Sequence, residues 1–249
     1  MIVRVAVVPH PPLLVPELAA GAAAETAPLR DACVAVAGAL AQLCPRWVAI
    51  AAVDPIAVMG AAGSFAGYGA DIEVALHPHV TPADCAELPL PLLISGWLRG
   101  QVGAAHVTVA ASPVPSGSSP EQCRRIGTEL AQRLRRDGDP VALLVLGDGA
   151  ATHTLRAPGY LDNRAHHLDK AVAEAMATAD CNALLDLDAT LASELLVAGR
   201  EAWQVGAAVA QSLAPAYHSE LLYSAAPYGV AYHVALWEAV VSERPESRP

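Results

Sequence analysis

Lysine is all but missing from this chain: Lys170 is the single one among 249 residues, and Lys plus Arg number 15 against 25 Asp plus Glu. With a formal net charge of -10 and no long basic stretch, it lacks the surface whose counterion release drives nucleic-acid binding. A small molecule or a protein is the expected partner. Hydrophobic residues reach 54%, yet no apolar run escapes Gly, Pro or charge for the about 20 residues that a bilayer crossing takes, so no membrane association is expected. The opening Met1-Ile2-Val3-Arg4-Val5-Ala6-Val7-Val8 has no basic region and no small-residue cleavage site after it. It reads as a first strand rather than a signal peptide, and the cytoplasm is the expected location. Cysteines stand at 33, 44, 85, 123 and 181, an odd and scattered set without a C-x-x-C pair, which suggests neither a disulfide framework nor a zinc ribbon. Buried free thiols are expected instead. Also missing are the third glycine or Lys-Ser/Thr that would make Gly147-Asp148-Gly149 a dinucleotide or phosphate loop, and any G-x-S-x-G elbow of a serine hydrolase.

What is present has the rhythm of an α/β protein. Residues 2–8 and 47–53 are apolar on both faces, as strands covered by helices on each side are. Residues 22–43 carry mostly good helix formers and stop at Cys44-Pro45. Short strands are expected at 72–76 and 106–110, a helix around 90–100, and a surface connector over 112–120, where Ser119 and Pro120 suit the N-cap and first position of a helix running to 136. A strand at 140–146, a helix at 163–179, a helix starting near 186 and broken near Gly199, and late strands at 220–224 and 229–236 complete the pattern. Trp203 and Trp237 are expected in the core. The expectation is a single α/β domain over residues 1–241, with a central, mostly parallel mixed sheet flanked by helices on both faces, and a disordered tail over 242–249. The sequence leaves open whether copies of the chain assemble into a homo-oligomer.

Three strand ends carry polar residues. His10 follows the first strand on a loop stiffened by Pro9, Pro11 and Pro12. Asp54 follows the second, and His153 follows the strand at 140–146 after a Gly-Asp-Gly turn. In open α/β sheets this end of the strands is where ligands gather. If the loops of His10 and His153 open on one crevice, their imidazoles can bind a divalent metal or move protons near neutral pH. The remaining histidines carry no such signal: His77, His79, His106 and His233 read as structural or solvated, and His166-His167 as a solvated pair opening a helix. The loop around Phe65 and Tyr68 can line a pocket.

Pro9-His10-Pro11-Pro12-Leu13-Leu14, the turn Gly147-Asp148-Gly149-Ala150-Ala151-Thr152-His153-Thr154-Leu155-Arg156, and Ala226-Pro227-Tyr228-Gly229-Val230-Ala231-Tyr232 resemble class III extradiol ring-cleavage dioxygenases. That superfamily includes the LigB-like component of protocatechuate 4,5-dioxygenase, the DOPA dioxygenases and the metal-poor Memo-like proteins. The resemblance implies that His10 is a metal ligand and His153 an acid/base catalyst over an aromatic substrate. It also implies Fe(II) or another divalent metal held on one face, with open positions for a catechol and O2. Two positions depart from the pattern. The second ligand, a histidine in relatives, falls on Asp54, and the third, Glu or Cys in relatives, falls on Ala198, which has no donor atom, so that Asp54, His218 or Glu201 would have to compensate.

Two functions follow from the resemblance. One is a cytoplasmic oxidoreductase that opens an aromatic diol ring with a non-haem metal on His10 and Asp54, with His153 and His10 as catalytic residues. The other is a metal-free, Memo-like pseudoenzyme with no cofactor, which binds a small aromatic molecule or a protein through the same pocket.

Overall fold

The computed structural model describes residues 2–53, 60–80 and 86–240. Asp54, Cys85 and the 242–249 tail lie outside the described residues. In chain order the elements are β1 (Ile2–Val8), α1 (Pro16–Ala19), α2 (Ala27–Leu43), β2 (Arg46–Ala52), β3 (Ala62–Ser64), β4 (Glu73–Ala75), α3 (Leu90–Gln101) and β5 (Thr108–Val114). Then follow α4 (Pro120–Asp137), β6 (Val141–Leu146), α5 (Arg164–Thr178), α6 (Cys181–Leu185), α7 (Ala189–Glu194), α8 (Arg200–Leu213), β7 (Tyr217–Ala225) and β8 (Tyr232–Ala239).

Six strands form one sheet in the order β5-β2-β6-β1-β8-β7, and β3 pairs with β4 in a small separate hairpin. Strands β5, β2, β6 and β1 run parallel, and β8 lies antiparallel to both β1 and β7. The expected mixed, mostly parallel sheet is therefore present. Its two faces are read by the period of two along each strand. Val5, Val7, Val48, Ile50, Leu143, Val145 and Trp237 face one apolar layer, with Trp203 from α8 and Met176 from α5 packed against them. Ala6, Val8, Ala49, Leu144 and Leu146 face the other, filled by Leu40, Leu93, Ile94 and Phe65. Phe65 is thus part of the core, while Tyr68 is exposed.

Local chemistry accounts for the boundaries. Ser119 accepts from the Gln122 amide while the Gln122 side chain accepts from the Ser119 amide, a capping box that starts α4 where the sequence placed it. The region after residue 180 divides more finely than expected, because Asp180 and Asp188 each cap a short helix through their carboxylates. Strand β5 runs on through Ser112-Pro113-Val114 where a connector was expected. It is an edge strand, so a proline in it removes no ladder hydrogen bond on the outer side. The last strand starts later than expected: residues 229–231 leave the sheet and bond to the turn after β6.

Candidate functional site

The carboxyl ends of β1 and β6 are neighbours and are tied together: the Gly147 amide donates to the Val8 carbonyl at 3.0 Å. At these ends stand two histidines, each with its own carboxylate. His10 sits on the proline-stiffened loop after β1, and its backbone N–H donates to Asp148 Oδ1 at 2.8 Å. Its imidazole Nδ1 lies 3.6 Å from the same oxygen, beyond hydrogen-bond length, and is buried without a partner.

The turn after β6 is held on its other side by the segment before β8. Gly149 N–H donates to the Ala231 carbonyl (2.8 Å), Ala231 N–H to Ala150 (2.9 Å) and His153 N–H to Gly229 (3.1 Å). This ladder explains why β8 starts late, and it delivers His233 to the site. His153 Nε2 lies 2.6 Å from Asp169 Oδ2, on α5. His233 Nε2 lies 3.3 Å from the other carboxylate oxygen, and the Ala150 amide reaches both oxygens at 3.3 Å. All three side chains are enclosed, with His153 8%, Asp169 5% and His233 2% exposed. Burial pushes the Asp169 carboxyl up, but the hydrogen bonds from His233, His153 and the Ala150 amide outweigh it and hold the group below its usual range. Asp169 is therefore an ionised acceptor, and both imidazoles present an Nε2–H to it.

That assignment fixes the free atom of the site. With Nε2–H given to Asp169, the neutral form of His153 has its lone pair on Nδ1, and Nδ1 is buried with no hydrogen-bond partner. Thr152 Oγ1, in the preceding residue, is buried and unpartnered as well. The His166 ring stands edge-on to His153, 4.6 Å between centroids, so one member of the expected solvated pair lies against the site. The site tolerates no added bulk. A Cβ at Gly149 would overlap Asp169 Oδ1 and come within 2.8 Å of Ala231 Cβ, and one at Gly147 would overlap Gly199 and come within 2.9 Å of Trp203 Nε1.

The positions named for a metal fare differently. His10 is in place with an unused nitrogen; Asp54 lies outside the described residues. Ala198 stands beside Gly199, which packs on Gly147, and offers no donor. Glu201 is committed: it accepts from the Gly117 amide (2.9 Å) and from Arg200 (2.9 Å), while Arg200 also donates to Ser118 and Gln204. His218 lies opposite Glu238, which lies opposite Arg4, and so sits at the far end of the sheet from His10. Among the described residues no group of three or more His, Cys, Asp or Glu side chains converges to hold a metal ion, so the described donors do not fit a three-ligand centre.

A cleft of about 690 Å³ opens beside the turn, lined by Gly117, Ser193, Leu196, Ala198, Arg200 and Glu201 among others. His153 is not in its lining; the turn is joined to the segment that carries lining residues Glu194 and Leu196 through the bond from Ala151 N–H to the buried Leu195 carbonyl, 3.0 Å.

Asp169 and His233 were not singled out from sequence. The available signal was the spacing of His166 and Asp169, three apart on one helix face and so able to meet the same neighbour. For His233 it was an imidazole within an apolar late strand.

No family model matches the chain, and no curated protein matches it. Among solved structures, the chain is similar to an uncharacterized protein, JW3007, from Escherichia coli K12, at 11% sequence identity over 95% of this chain and 100% of that one, with a TM-score of 0.47. A likeness that distant carries no functional argument. Among the described residues no helix is long and apolar enough to cross a membrane.

Proposed function

We propose that this chain is a cytoplasmic protein that keeps the pocket of an extradiol dioxygenase-like fold and uses it without a three-ligand metal centre. In this reading it binds a small aromatic molecule carrying a weakly acidic hydroxyl, and His153 is the base that takes its proton. The observation that carries the reading is the 2.6 Å contact of His153 Nε2 with Asp169 beside a buried, unpartnered Nδ1. A ligand hydroxyl reaching Nδ1 meets an acceptor whose positive form the adjacent carboxylate stabilises, the arrangement that makes a histidine an effective base. The ligand is left as an oxyanion beside the imidazolium.

The test is optical. Phenols and catechols are titrated into the protein near neutral pH, and the phenolate absorbance is followed with wild type and His153→Gln. The reading expects phenolate to form on wild type and not on the variant; equal spectra from the two proteins overturn it.

One observation favours a second reading, ring opening by a metal held through His10 and Asp54: the unused Nδ1 of His10. It expects anaerobic Fe(II) to raise the melting temperature, since a ligand at about 100 times its Kd stabilises by about 2.7 kcal/mol, and a yellow product from a catechol in air. The first reading expects neither.

A further inference from the structure

The chain of contacts does not end at Asp169. His233 Nδ1, on the far side of its ring, lies 3.0 Å from the hydroxyl of Ser224, directly across the β7–β8 pair. Because His233 turns Nε2 toward a carboxylate oxygen, Nε2 bears the hydrogen, and in the neutral ring the Ser224 hydroxyl donates to Nδ1. Ser224 thereby favours the one neutral tautomer of His233 that can serve Asp169. The carboxylate then has three donors, the Ala150 amide and two imidazoles.

We propose that His233, held by Ser224, is a positioning residue for His153: by supplying the second imidazole donor to their shared carboxylate, it lets His153 remain neutral with Nδ1 free. This rests on the reading of His153 as a base. The physical reason is the demand of an enclosed carboxylate. An ionised group taken out of water must have its lone pairs met, and if one donor is lost the remaining partner is drawn to compensate by becoming an imidazolium. His153 would then carry a proton on Nδ1 before any ligand arrived and could accept none. In the described contacts, the titratable groups facing the two imidazoles are Asp169 and His166 from α5. Trp203 from α8 packs its ring edge near His233 without charge, and Ser224 is the polar neighbour from β7. Nothing else in the described contacts of His233 can replace its N–H toward Asp169.

The experiment observes the ring nitrogens directly. Protein labelled with 15N-histidine is examined by NMR without ligand, with the His153 signals assigned by their loss in His153→Gln. In wild type near neutral pH, Nδ1 of His153 gives the signal of an unprotonated nitrogen. His233→Phe, which fills the space without a donor, moves that signal to the protonated position, and its titration shifts to higher pH by about one unit or more, the size of one hydrogen bond to a charged group. His233→Gln, which returns an N–H, restores the wild-type signal. Ser224→Ala, at an exposed position that leaves the core untouched, gives a smaller shift in the same direction and keeps the test open if the Phe variant fails to fold. An unchanged His153 signal in Ser224→Ala and in a folded His233→Phe overturns the proposal, as does failure of the Gln variant to restore it. Since no ligand is present, this result is independent of whether phenols bind, so failure of the base reading and failure of the positioning reading are distinguishable.

Discussion

Two histidine–carboxylate pairs stand on neighbouring strand ends, and they are built differently. At the end of β1, Asp148 grips the backbone amide of His10 and leaves the imidazole nitrogen 3.6 Å away and unpaired. At the end of β6, Asp169 grips the imidazole of His153 itself at 2.6 Å and is gripped in turn by His233 and Ala150. The first arrangement fixes a loop and leaves a ring uncommitted, as a ligand awaiting partners would be. The second fixes a ring, its tautomer and the charge beside it, which is what a base requires. The resemblance implies one metal-dependent mechanism for both histidines; among the described residues only His153 has its imidazole hydrogen-bonded to a carboxylate.

The comparison can be broken at several points. The largest effect is expected from Asp169→Leu, which leaves two imidazole N–H groups and an amide without their acceptor inside the protein. A loss of about 3 kcal/mol in denaturant unfolding is expected. Gly149→Ala comes next: its methyl has no room beside Asp169 and Ala231, and overpacking of this kind costs about 2 kcal/mol. Asp148→Ala removes one acceptor from a less enclosed pair and should cost about 1 kcal/mol, with phenolate formation at His153 retained. If Asp148→Ala cost as much as Asp169→Leu, the contrast between the two pairs would fail.

Acid tests the Asp169 pair directly. The Asp169 carboxyl is held below its unfolded value of about 3.9. Its contribution to stability is therefore full above that pH and is lost as the pH falls through the folded value. Wild type should show this acid-side loss in a series of unfolding curves, and Asp169→Asn should show a flatter dependence there. The smallest effect is expected from Ser119→Ala, far from both pairs, where loss of the α4 cap should cost about 1 kcal/mol or less and leave the His153 nitrogen signals unmoved.

Much of the sheet was legible because its strands announce themselves by composition: a run such as Val141–Leu146, buried at every position, has few other places to be. The N-cap at Ser119, followed by Pro120, was legible because it depends on adjacent residues, whereas the Gln122 half of its capping box was not singled out. The carboxylate at the centre of the site was not legible. Asp169 lies sixteen residues from His153 and sixty-four from His233, and the histidines just before it, His166 and His167, look like a solvated helix face. Likewise, nothing local tells that residues 229–231 leave β8 to pair with the turn at 149–153.

By itself, the sequence determined the alternation of strands and helices, the strand-end placement of His10 and His153, and the lack of a donor at Ala198, because each is a matter of local pattern or of what a side chain contains. The tertiary structure alone decided which carboxylate serves which imidazole. That choice follows from strand order, which sets β6 beside β1 and β1 beside β8, and from glycines that let backbone and carboxylate approach where a Cβ would stand.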